Sequence, residues 1–167
     1  MQTPFQIDVS HDGKERQFPF VYRFGKDIFV SYSEHQDAML PSPTDAMIIS
    51  RDNGKTWGQK ITNKDFYLTS MVRKGGTLYG VVYFTYPVSR TEERMIYWTS
   101  RDRGHTWIRR EGRVVVPDSM ALPEGQGVWG SLLFHRGMEV LRDGSLQGVM
   151  YGHAGKEKKY TSVLLRS

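Results

Sequence analysis

The sequence predicts an all-β fold built from about three consecutive units of short antiparallel strands. Three observations predict it. An octet recurs after fifty residues, as Ser50-Arg51-Asp52-Asn53-Gly54-Lys55-Thr56-Trp57 and Ser100-Arg101-Asp102-Arg103-Gly104-His105-Thr106-Trp107, with six of eight positions identical. A glycine turn between apolar runs precedes each octet and recurs a third time, at Gly25, Gly75 and Gly144. No apolar spacing of three and four residues persists over a helix length, whereas Ile28, Val30 and Tyr32 alternate with Phe29, Ser31 and Ser33.

The elements follow from this phasing. The first unit reads as strands Phe18–Phe24, Ile28–Ser33, Ala46–Arg51 and Thr56–Ile61, with a turn at Phe24-Gly25-Lys26-Asp27. The second reads as Leu68–Arg73, Leu78–Thr85, Met95–Arg101 and Thr106–Val114, turning at Lys74-Gly75-Gly76-Thr77. The third reads as Leu132–Leu141, Leu146–Gly152 and Tyr160–Ser167, turning at Arg142-Asp143-Gly144-Ser145. Turn glycine and octet serine lie 25, 25 and 23 residues apart, counting Ser167 as the third serine, so a third octet is expected to begin there. Each octet then sits on a hairpin. Its Asp accepts hydrogen bonds from turn amides, its Gly supplies a positive φ, its Thr begins the outgoing strand, and its Trp buries a ring between sheets.

Composition narrows the function classes. The chain has 167 residues, 38% hydrophobic and 25% charged, enough for one packed domain. Without cysteine, disulfides and thiolate zinc sites are excluded, and His11, His35, His105, His135 and His153 are too scattered for a metal site. No cofactor is implied. The net charge of +5 mildly favours an acidic ligand, but no Lys/Arg block is long enough to suggest nucleic acid. No apolar run reaches the roughly 20 residues of a membrane helix, and Met1–Val9 does not read as a secretory leader.

The octet, Ser-x-Asp-x-Gly-x-Thr-Trp, resembles the Asp box, or bacterial neuraminidase repeat, of the sialidase superfamily. The resemblance implies a six-bladed β-propeller of four-stranded antiparallel blades, of which this length supplies about three, over residues 18–66, 67–130 and 131–167. A closed propeller uses about four to eight blades, so a partial ring is expected, completed by a parent chain or by a second copy. The resemblance implies a glycoside hydrolase acting on terminal, acidic sugars, in a secreted or periplasmic setting, with the isolated chain inactive. A non-catalytic propeller that binds glycans or a protein partner is the alternative.

Candidate site residues follow. Gln17-Phe18-Pro19 stands where the family carries Arg-Ile-Pro, with Arg16 one place away and facing oppositely in a strand. Arg23 is the next cation available for a substrate. The family's acid/base Asp lies in a polar loop after the second strand, which here holds Glu34, His35 and Asp37; Asp37 is the candidate acid/base, with Glu34 beside it. His135 and Arg136 begin the first strand of the third unit, where Arg136 would grip a carboxylate and His135 would face the same space. Trp129, closing the Pro/Gly-rich stretch 117–130, either stacks on a sugar or packs under its loop.

Overall fold

The computed structural model describes residues 16–34, 44–64, 66–121, 132–155 and 160–167. It is all-β, with eleven strands and one short 3-10 turn at Asp118–Met120. Strands β1 (Gln17–Phe24), β2 (Asp27–Ser33), β3 (Thr44–Ser50) and β4 (Ile61–Lys64) form an antiparallel meander in sequence order. A second meander joins β5 (Leu68–Lys74), β6 (Thr77–Ser89), β7 (Glu92–Ser100) and β8 (Ile108–Val115), and a third joins β9 (Leu132–Val140), β10 (Leu146–His153) and β11 (Tyr160–Arg166). The second and third are stitched together where Phe84 of β6 pairs with Leu133 of β9.

The outgoing strands differ from expectation. β4 begins at Ile61 rather than Thr56, and β8 at Ile108 rather than Thr106. Each octet threonine is held by its own Asp inside the turn, so the strand starts only after that turn is finished. β6 also runs on to Ser89, four residues past the expected end, as Tyr86 pairs with Arg94 of β7 and its ring lies 5.1 Å from the guanidinium carbon.

Apolar faces close two inter-sheet cores. Phe29, Met47 and Ile49 of the first meander meet Phe66, Leu68, Met71, Ile96 and Trp98 of the second, with Trp107 packed against them. Val81 and Val114 of the second meet Leu132, Phe134 and Met150 of the third. The opposite face of the first meander carries Tyr32, Ala46 and Ile48, with Trp57 alongside. Small residues set the spacing: a β-carbon on Gly148 would overlap the Phe134 ring, and one on Gly80 would overlap Leu68 at the matching place one sheet earlier. A buried polar staple fixes β9 on β6. The Leu132 N–H donates to Glu93 Oε2 at 3.3 Å, and Thr85 Oγ1 bonds both that carboxyl group, at 2.6 Å, and the Leu132 carbonyl.

Candidate functional site

An up-and-down order of strands puts chemistry-bearing residues at two opposite ends. One end holds the octets and the glycine turns. Ser50 Oγ donates to Asp52 Oδ1 at 2.8 Å and accepts the Gly54 N–H at 2.8 Å, while Asp52 accepts Thr56 N at 2.9 Å and Thr56 Oγ1 at 2.7 Å. The second octet repeats every bond: Ser100 to Asp102 at 2.8 Å, Gly104 N to Ser100 at 2.7 Å, then Thr106 N and Oγ1 to Asp102 at 2.9 and 2.6 Å. The Thr56 amide and hydroxyl hold the Asp52 carboxyl down at about 2, and the Thr106 hydroxyl and amide push Asp102 in the same direction. Gly54 and Gly104 take φ of 86° and 88°, as the turn requires, and Asn53 and Arg103 before them are also left-handed at 62° and 60°. These carboxylates are committed to turn geometry.

Arg23 belongs to this end. Its Nε donates to the Gly25 carbonyl at 3.1 Å, and a terminal nitrogen donates to Asn53 Oδ1 at 3.1 Å. It is therefore tied to the first octet, away from His135 and Arg136.

The other end gathers rings around His135 and Arg136. Phe20 and Tyr67 lie 5.6 Å apart, Tyr67 and Tyr83 6.0 Å, Tyr83 and His135 6.1 Å, and His135 and Tyr151 5.3 Å, all edge-on. Tyr160 stacks on Tyr151 at 6.3 Å, and His153 lies 4.2 Å from Tyr160. The Tyr83 and Tyr151 hydroxyls hydrogen-bond to each other. Burial pushes the Tyr83 phenol up, with the Tyr151 bond adding to it, and burial raises Tyr22 as well. His135 is pulled below its ordinary value, first by burial and then by the Arg136 charge.

The backbone re-aims these side chains. The first strand of every meander carries a bulge near its start: between Gln17 and Phe20 in β1, between Leu68 and Ser70 in β5, and opposite Gly148–Met150 in β9. In two of them a non-glycine residue is left-handed, Phe18 at φ 51° and Arg136 at φ 50°. Arg136 is exposed, and its guanidinium carbon sits 5.2 Å from the centre of the Phe20 ring, reaching from the third meander to the first.

Glu34 stands apart from this cluster. Its Oε1 takes Lys60 Nζ at 2.6 Å and Arg16 at 3.4 Å, beside Tyr32 on the face that looks away from the second meander. Asp37 and Trp129 lie outside the described residues. Thus the structure brings His135 and Arg136 together and places Glu34 and Arg23 elsewhere. Among the described residues no three His, Asp or Glu side chains gather as a metal site would need. The tyrosines are what sequence reasoning missed. Gly80-Val81-Val82-Tyr83 and Gly148-Val149-Met150-Tyr151 are the same position of successive units, and that match was the available signal.

No protein-family model and no curated protein matches the sequence. Solved structures do. The chain is similar to a Trypanosoma rangeli sialidase solved in complex with sialic acid, with a TM-score of 0.55 and 15% identity over 92% of this chain and 28% of that one. A second structure of Trypanosoma rangeli sialidase gives the same score and identity, with 29% of its chain covered. The chain thus spans less than a third of the structures it matches, and at this identity the likeness establishes a sialidase-like fold.

Proposed function

We propose that this chain is part of a sialidase-like, glycan-acting β-propeller, with its three meanders as blades, its octets as Asp boxes, and the aromatic end as an acidic-sugar site. On this reading Arg136 holds the sugar carboxylate, and Tyr83, Tyr151 and Tyr160 supply hydroxyls and ring faces. The observation that carries it is Arg136 itself: an exposed guanidinium on a left-handed bulge residue, reaching over Phe20 into the ring cluster. Holding such a residue in the left-handed region costs on the order of 1–3 kcal/mol, a cost that binding sites characteristically tolerate. The sialic acid bound by the structural neighbour is a sugar of that chemical class. Remaining blades come from a parent chain or a second copy.

For hydrolysis, Asp37 is the proposed acid/base, with His135 lining the same space. Glycan-array binding and turnover of a fluorogenic sialoside test this with the complete ring. Arg136→Ala is expected to weaken binding of carboxylate-bearing glycans at least tenfold while sparing neutral ones, and Asp37→Asn to abolish turnover but keep binding. Unchanged acidic-glycan binding by Arg136→Ala would remove the reading. The non-catalytic alternative draws on a specific observation: the Glu34 carboxylate is already occupied by Lys60 and Arg16, and Gln17 replaces the clamp arginine. Binding without turnover on any sugar would decide for it.

A further inference from the structure

The three meanders can be aligned by register. Ile28 of β2 pairs with Ser50, and Leu78 of β6 pairs with Ser100, so each octet serine lies opposite the residue that opens the second strand after the turn. In the third meander Ser167 N donates to the Leu146 carbonyl at 2.9 Å, and Leu146 N donates to Ser167 Oγ at 2.9 Å. Ser167 therefore occupies the octet-serine position. In the first two meanders a fourth strand then pairs with the third, whereas β11 lies at the edge of its sheet.

The second octet shows what its outgoing strand contributes. Trp107 packs into the core between the first and second meanders, 5.6 Å from Phe66, with its Nε1 donating to the Gly104 carbonyl at 3.1 Å. The corresponding gap between the second and third meanders is an open, mainly apolar groove of about 500 Å³, lined by Tyr79, Val81, Tyr97, Phe134, Leu165 and Ser167. Tyr79 holds there the register position that Phe29 holds beneath Gly104 in the first gap. Leu164 on the edge strand is 63% exposed, and Tyr160 at its start 71%. An open edge with unpaired backbone groups beside an apolar groove is the arrangement that strand addition satisfies.

We infer that the outer edge of β11 and this groove together form a docking site for one further antiparallel strand that opens with Asp-x-Gly-x-Thr-Trp, its indole seated among Tyr79, Val81, Phe134 and Leu165. The occupant is a strand of this repeat's own type, the counterpart of Ile108–Val115. The site is independent of the sugar reading, because it lies at the octet end.

The test adds a fluorescein-labelled peptide with the sequence of Arg101–Val116 to the full chain. The expected result is saturable binding, amide-exchange protection concentrated in Tyr160–Arg166, and at least a tenfold loss with a peptide carrying alanine at the Trp107 position. Three results would overturn the proposal: no saturable binding, equal binding of the alanine peptide, or protection of β11 in the chain alone through contact with a second copy. Faster exchange in Ile108–Val115 on adding peptide would overturn it too, since the peptide would then be displacing β8.

Discussion

The Arg103 guanidinium of the second octet closes on the Asp27 carboxylate of the first meander through two hydrogen bonds, 2.8 Å from Nε and 2.6 Å from a terminal nitrogen. Arg51 of the first octet approaches the same carboxylate at 3.3 Å. A turn and two octets are thereby tied to one buried anion. Arg103 reaches it from a left-handed backbone, so the octet's shape and the inter-sheet clasp are set together.

This clasp predicts an acid-sensitive difference between wild type and Asp27→Asn. The Arg103 hydrogen bonds hold the Asp27 carboxyl below its ordinary value of 3.8. A depressed carboxyl stabilises the fold fully above that ordinary value, and the stabilisation is lost as pH falls through the folded-state value. At pH 7 the variant is expected to melt about 3–6 °C below wild type, with the gap closing below about pH 3. Thermal melts across that range check it; a gap that is constant with pH would rule out the ionised clasp.

Ser100→Ala tests the octet as a turn lock. Ser100 is buried, and its hydroxyl satisfies the buried Gly104 N–H while donating to Asp102. Removing it leaves that N–H without its partner, at about 1–3 kcal/mol. For a chain of this size the melting point should fall by roughly 3–10 °C. Ser50→Ala should behave alike, because its bonds match, and an unchanged melt for both would mean that the serine does not hold the turn.

Two glycines separate backbone strain from packing. Gly25 has φ of 68° with nothing within 4 Å of an added β-carbon, whereas Gly104 has φ of 88° and would place that carbon 2.7 Å from Phe29 Cε1 and 3.2 Å from Ile49 Cδ1. Gly25→Ala should cost about 1 kcal/mol, from the left-handed backbone alone. Gly104→Ala should cost roughly 2–4 kcal/mol, since Phe29 sits in the inter-sheet core and must move. Equal losses in urea titrations would place Gly104 outside the core contact described here.

How much of this was legible depended on whether the information was local. The octets, the glycine turns and the alternation of β2 are short-range patterns, so their strands and turn bonds could be read directly from residue identity. Strand starts at Ile61 and Ile108 were displaced because the Asp52 and Asp102 side chains extend their turns, a competition that propensity does not contain. In the candidate site, His135 and Arg136 stood out as adjacent charged and titratable residues. Arg23 looked equivalent by sequence, yet the β1–β2 turn carries it to the octet end. The tyrosines were hidden because Tyr83 and Tyr151 meet only through the β6–β9 junction, 68 residues apart in sequence. Bulges on β1, β5 and β9 leave no mark in composition, although they decide which side chains face the cluster.

Arg136→Gly sets stability against binding. At φ 50° arginine is in a region that glycine occupies freely, and the neighbouring Gly137 is already left-handed at 98°. The substitution removes backbone strain worth about 1 kcal/mol, and it also removes the cation–π contact with Phe20, worth roughly 0.5–1 kcal/mol at an exposed site. These terms nearly cancel, so the melting point should stay within about 2 °C of wild type, whereas Arg136→Ala keeps the strain, loses the contact and should melt lower. Both variants are expected to lose binding of carboxylate-bearing sugars. Calorimetry beside an acidic-glycan titration checks the two halves separately. A glycine variant that melts well below the alanine variant would mean that the left-handed bulge stores no strain at Arg136, and the argument that this backbone exists to present a guanidinium would fail with it.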